Sequence, residues 1–141
     1  MNSDNSQTSE AWDTLPVRVY YEDTDAQGVV YFANYLRFME RGRTEWLRAR
    51  GIEQERLRRE QNLCFSLANT TVRFLRPARF DDCLSIRTRV TKISGARVMF
   101  EQAVYRDDDS DELLCSAECE AACITADTFK PRRLPPGLLS I

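Results

Sequence analysis

The chain contains no histidine among its 141 residues. That absence removes the side chain most suited to proton transfer near neutral pH. Any acid–base or nucleophilic work must fall to carboxylates, cysteines, tyrosines or lysines. It also argues against zinc, because the five cysteines (Cys64, Cys83, Cys115, Cys119 and Cys123) contain no CxxC pair. Their number is odd and the expected compartment is reducing, so they read as small core residues and not as a disulfide framework. No apolar run approaches the ~20 residues of a membrane span. An excess of basic charge is missing too: 20 basic residues stand against 22 acidic ones, for a formal net charge of -2. That balance argues against a dedicated nucleic-acid binder. There is no GxGxxG and no P-loop, so no glycine cradle for a nucleotide is indicated and no cofactor is expected. The first ten residues are polar, without the basic or apolar block of a secretory signal or transit peptide. Residues 1–12 read as a disordered lead-in, and the expected location is the cytoplasm.

What remains is one domain's worth of chain, 43% hydrophobic and 30% charged. The most informative stretch runs from Tyr20 to Tyr35. Val17, Val19 and Tyr21 alternate with Arg18, Tyr20 and Glu22, as in a half-buried strand entered at Pro16. That run ends in the acids Glu22, Asp23 and Asp25, followed by Gly28. Helical spacing then takes over from about Val30 to Arg50, with Tyr31, Tyr35, Phe38, Met39, Trp46 and Leu47 at threes and fours and Gly51 as its C-cap. Gly42 inside this helix reads as a close-packing position. A short, charged second helix is expected within Ile52–Gln61.

Four strand-like segments follow, at Phe65–Leu75, Leu84–Ile93, Val98–Arg106 and Leu113–Thr125. The last is ambiguous, since Cys115, Cys119 and Cys123 suit a helix face as well as a strand parity. The acidic turn before it favours a hairpin and therefore a strand. One strand, a long helix and an antiparallel meander make an α+β design, with a curled sheet around one central helix. The domain is expected over residues 13–130, with an irregular, proline-rich tail over 131–141.

The segment Tyr-Glu-Asp-Thr-Asp-Ala-Gln-Gly-Val-Val-Tyr-Phe-Ala-Asn-Tyr (21–35), with Leu-Arg-Phe-Met-Glu-Arg-Gly-Arg-Thr-Glu-Trp-Leu (36–47), resembles the hotdog-fold acyl-CoA thioesterases. The closer likeness is to the tol-pal-associated group related to 4-hydroxybenzoyl-CoA thioesterases. Val72 to Ala78 followed by Asp81-Asp82 extends the resemblance to nearly the whole domain. It implies a hotdog fold, a homodimer or homotetramer with active sites at the dimer interface, and an acyl-CoA substrate. It also implies that Asp25, three residues before Gly28, is the catalytic acid. The backbone amide of Phe32 would polarise the thioester carbonyl. Several relatives carry histidine at that position, and Phe32 keeps only the backbone donor.

Each of these residues has a plainer role open to it. Asp23, Thr24 and Asp25 suit capping and turning of the chain, although the full motif favours a catalytic Asp25. Asp25 would attack directly or deprotonate a water, and both routes stay open. Tyr31 and Tyr35 suit either an acyl pocket or the core. Arg73, Arg76 and Arg79, followed by Arg87, Arg89 and Arg97, suit the phosphates of coenzyme A; a solvated strand face accounts for alternating arginines equally well. Glu40 reads as a surface residue beside Arg43 and Thr44. The expected activity is hydrolysis of acyl-CoA to a carboxylic acid and free CoA. The competing reading is a non-catalytic hotdog module that binds acyl-CoA or acyl carrier protein. A hotdog dehydratase would require histidine.

Overall fold

The computed structural model describes residues 11–139, so most of the expected 1–12 lead-in lies outside the described residues. The elements are β1 (Asp13–Arg18), α1 (Phe32–Ala49), α2 (Gln54–Gln61), β2 (Leu63–Phe74), β3 (Cys83–Ser94), β4 (Arg97–Arg106) and β5 (Leu113–Thr125). The strands form one antiparallel sheet in the order β1-β3-β4-β5-β2. The two helices and all four later strands are those the periodicity predicts. The ambiguous segment is a strand, and its three cysteines are buried free thiols.

Helix α1 is 18 residues long, roughly 27 Å at 1.5 Å per residue. Its buried positions, Tyr35, Phe38, Met39, Gly42, Trp46 and Leu47, make one apolar stripe. Trp46 meets Phe100 of β4 edge-on, with ring centroids 5.7 Å apart. Gly42 is where the helix backbone comes closest to the sheet. A Cβ placed there would lie 2.8 Å from Thr88 Oγ1 and 3.0 Å from both Gln102 Nε2 and Ile86 Cγ2. The fully buried Gln102 uses this room. Its amide donates to Met39 O and Thr88 Oγ1, each at 2.9 Å, and its oxygen accepts from Arg43 Nη1 at 3.0 Å. A polar group is thus carried into the core with its hydrogen bonds made.

The first strand departs from expectation. β1 ends at Arg18, and the alternation through Glu22 does not continue as strand. Val19 is instead tied to the loop after β2, donating to Asp82 O and accepting from Asp81 N, each at 2.9 Å. A short 3-10 turn, Tyr21–Asp23, follows. Pro16 lies inside β1 and not at its start; it is tolerated because β1 is an edge strand, paired among the described residues with β3 alone. β2 also breaks its parity. The register with β5 shifts between Leu67 and Asn69, leaving Ala68 as a bulge.

Candidate active site

The acids after β1 are held by a dense local network. Asp23 accepts Tyr20 N–H and the Asn34 side-chain amide on its two carboxylate oxygens, each at 2.8 Å, while its carbonyl accepts Tyr31 N–H at 3.1 Å. Thr24 Oγ donates to Tyr21 O at 2.7 Å. Both residues thus play the structural part that capping chemistry suggests. Asp25 shares it in half. Its Oδ1 accepts Gln27 N–H at 2.8 Å, with Val29 N–H further off at 3.4 Å. Its Oδ2 takes no hydrogen bond among the described residues, and the side chain is exposed.

The loop closes at Gly28, whose φ of +78° is left-handed, with nothing within 4 Å of where a Cβ would stand. The glycine is therefore required by its backbone conformation and not by crowding. A second segment, residues 77–82, is stitched to this loop. Val30 N donates to Ala78 O at 2.8 Å and Phe80 N to Gly28 O at 3.2 Å. That segment is anchored in turn by Arg106, which pairs with Asp82 and donates to Pro77 O at 3.0 Å.

Helix α1 begins beside this loop without a side-chain cap. Tyr31 is the N-cap residue and makes no capping hydrogen bond, and no acid occupies the first turn. Among the described residues the Phe32 N–H has no backbone acceptor outside its helix, and as the first helical residue it has none within it. An uncapped helix start favours a negative group.

The acid loop, the helix start and the end of β2 enclose one cavity of about 470 Å³. It is lined by Asp25, Tyr31, Phe32, Tyr35 and Arg76, five of the residues singled out from the sequence, while Gly28 shapes the loop from just outside it. Tyr35 is 2% exposed and packs in the core, and it also lines the cavity. Its hydroxyl oxygen accepts Ala78 N–H at 2.9 Å, and burial pushes its pKa up. Arg76 is exposed and pairs with Glu112 at 3.0 Å. Arg87, Arg89 and Arg97 each pair with an acid (Asp111, Glu101 and Glu120). Glu40 is exposed, and no hydrogen bond or ion pair joins it to Arg43 or Thr44. Missed by the sequence reading is Phe74, whose ring lies 4.8 Å from Phe32 and 5.5 Å from Tyr35. Its parity marked it as an ordinary strand residue. The signal available was the short Phe74-Leu75 apolar end of β2, directly before Arg76-Pro77.

Known proteins resemble this chain in sequence and in fold. A family model described as the thioesterase-like superfamily matches residues 19–141. The acyl-CoA thioesterase YbgC of Haemophilus influenzae is 42% identical over 122 residues, covering 86% of this chain and 88% of the relative. The crystal structure of a probable thioesterase from Bartonella henselae superposes with a TM-score of 0.83 at 40% identity, covering 89% of this chain and all of that one. A 1,4-dihydroxy-2-naphthoyl-CoA thioesterase from Synechocystis superposes with a TM-score of 0.81 at 26% identity, covering 89% of this chain and 90% of that one.

Proposed function

We propose a mechanism from one premise: the chain belongs to the thioesterase-like superfamily and is an acyl-CoA thioesterase. It cleaves the thioester of acyl-CoA with water, giving a carboxylic acid and free CoA. The observation that carries the assignment of roles is that Asp25 and the uncapped start of α1 line the same cavity.

In this reading the thioester carbonyl oxygen points to the Phe32 amide. The oxyanion that forms on attack is stabilised by that donor and by the helix dipole. The attacking oxygen comes from the Asp25 carboxylate, breaking the C–S bond to leave CoA thiolate and a mixed anhydride that water then hydrolyses, or from a water that Asp25 deprotonates, its proton passing to the leaving sulfur; Oδ2 is the oxygen free to do either. Oδ1, bonded to Gln27 N–H, fixes the orientation of the group. Gly28 permits the turn that brings carboxylate and helix start together. Tyr31 and Tyr35 line the acyl pocket, and Arg76 stands at its edge for the phosphates of CoA.

The sheet is read as curling around α1 as the one central helix of a hotdog fold. The expected assembly is a homodimer or homotetramer. Its support is β2, a sheet edge of 12 residues paired on one side only. Such an edge offers a row of backbone donors and acceptors to a second strand. Among the described residues no helix is long and apolar enough to cross a membrane.

The test is release of free thiol from a panel of acyl-CoAs by the wild type and by Asp25→Asn. Loss of at least about 10²-fold in kcat, with an unchanged circular dichroism spectrum, is the expected result. A variant of undiminished kcat would remove Asp25 from the chemistry. A wild type that releases no thiol from any acyl-CoA would favour the binding module.

A further inference from the structure

We propose that Arg106 is a positioning residue for the reaction, setting the place of Asp25 from behind the site through residues 77–82, an inference that rests on the role given to Asp25 above and deepens it.

Arg106 is the last residue of β4, and it does not line the cavity. Its side chain is only 15% exposed. Three partners converge on its guanidinium. Asp82 pairs with Nη1, Pro77 O accepts from Nη2 at 3.0 Å, and Glu112 Oε1 accepts from Nε at 3.4 Å. Pro77 and Asp82 are the two ends of one short segment, so a single group holds both. A planar guanidinium fixes such a fork of partners in direction, which a lone ammonium does not.

Between its ends that segment is bonded to the acid loop. Ala78 O accepts Val30 N–H at 2.8 Å, Gly28 O accepts Phe80 N–H at 3.2 Å, and Val29 forms an antiparallel bridge with Arg79. The loop then closes on itself, with Asp25 N–H donating to Val29 O at 2.9 Å. A shift of the segment therefore carries the Asp25 carboxylate with it. The segment also reaches α1, because Ala78 N–H donates to the Tyr35 hydroxyl at 2.9 Å. Loss of the guanidinium leaves neither acid stranded. Asp82 keeps Arg79 N–H at 2.8 Å, and Glu112 keeps Arg76 at 3.0 Å. The fold should then survive, and the cost should fall on the placement of Asp25, where small displacements of a reacting group are expensive.

The experiment is a double-mutant cycle on full-length protein. Thiol release is measured for the wild type, Arg106→Gln, Asp25→Asn and the double variant, with the acyl-CoA that the wild type cleaves fastest. Arg106→Gln should lower kcat by about 10- to 10²-fold and move KM little. In the Asp25→Asn background the same change should cost no more than about twofold, since no placed carboxylate is left to disturb. Arg106→Lys, which keeps the charge and loses the fork, should recover part of kcat. In parallel, the NMR amide resonances of Gly28 and Val30 should move in Arg106→Gln. Unmoved resonances, an unchanged kcat, a loss confined to KM, or a loss repeated in full beside Asp25→Asn overturns the positioning and leaves the role of Asp25 standing. Undiminished kcat in Asp25→Asn overturns that role and the positioning with it, even where the resonances move. Circular dichroism monitors folding, and Arg106→Lys takes the place of Arg106→Gln in the cycle if the latter does not fold. Loss of the fold in both makes Arg106 a support of the whole domain and overturns the proposal.

Discussion

Asn34 donates its side-chain amide to Asp23 Oδ1 at 2.8 Å, joining the first turn of α1 to the 3-10 turn that precedes Asp25. The acid loop and the helix start are therefore joined through one carboxylate that does not line the cavity. Asp23→Ala should lower kcat about tenfold or more while moving KM little, because small misplacements of reacting groups are costly. Asp23→Asn keeps an oxygen acceptor at this site and should recover part of the rate. Steady-state kinetics on both variants check this; a loss confined to KM would contradict it.

The Phe32 amide, proposed as the oxyanion donor, can be deleted by one substitution. Proline is well tolerated at the first position of a helix, where its missing N–H has no helical acceptor. The preceding Tyr31 already has an extended backbone, φ −66° and ψ 140°, which a following proline permits. Phe32→Pro should therefore fold with α1 intact and lose ~10²–10³ in kcat. Phe32→Ala keeps the amide and should retain most of kcat. Equal kcat in the two variants would remove the amide from the mechanism.

At Gly28 the cost of a side chain is conformational, since φ is +78° and the space is open. Gly28→Ala should destabilise the fold by about 1 kcal/mol, and Gly28→Asn, more at ease in the left-handed region, by less. Gly42→Ala fails for the opposite reason. Its methyl meets Thr88, Gln102 and Ile86 at 3.0 Å or closer, and over-packing should cost about 1–3 kcal/mol. Thermal unfolding of the variants ranks these effects; equal losses for Gly28→Ala and Gly28→Asn would contradict the backbone argument.

Burial pushes the Cys115 thiol up to about 12, from an ordinary value of 9.0. Between those two values the unfolded chain gives up this proton and the folded chain keeps it. Stability should thus be full below about pH 9 and fall as pH rises toward 12. The slope from this group is at most about 1.4 kcal/mol per pH unit. Urea denaturation at pH 8 and pH 10.5 should show the decline, and Cys115→Ala, less stable at pH 8, should show a shallower one. An unchanged slope in Cys115→Ala would assign the decline to other groups.

The architecture was legible in the sequence where one face of an element is buried. Spacing along Tyr35–Leu47 and parity along β3, β4 and β5 report burial directly. It was less legible where pairing partners decide. The strand after Pro16 stops at Arg18 because Val19 bonds to residues 81 and 82, over sixty positions away. The Ala68 bulge arises from register against β5. That Asp25, Gly28 and Phe32 stand together could be read because the acid, the turn and the helix start follow one another closely in the chain. Phe74 could not, because its place opposite Phe32 depends on how the end of β2 meets α1 in space.

The open start of α1 also leaves a mark on amide exchange with solvent. In this short stretch Asp25, Gly28, Val30 and Tyr31 all donate their N–H to backbone oxygens, so their deuterium uptake should be slow. Phe32 and Ala33, whose N–H groups have no acceptor among the described residues, should take up deuterium fast. The two amides at the open helix start thus trade their hydrogens with water, and an occupying ligand that engages the Phe32 amide should slow the trade there more than at Ala33.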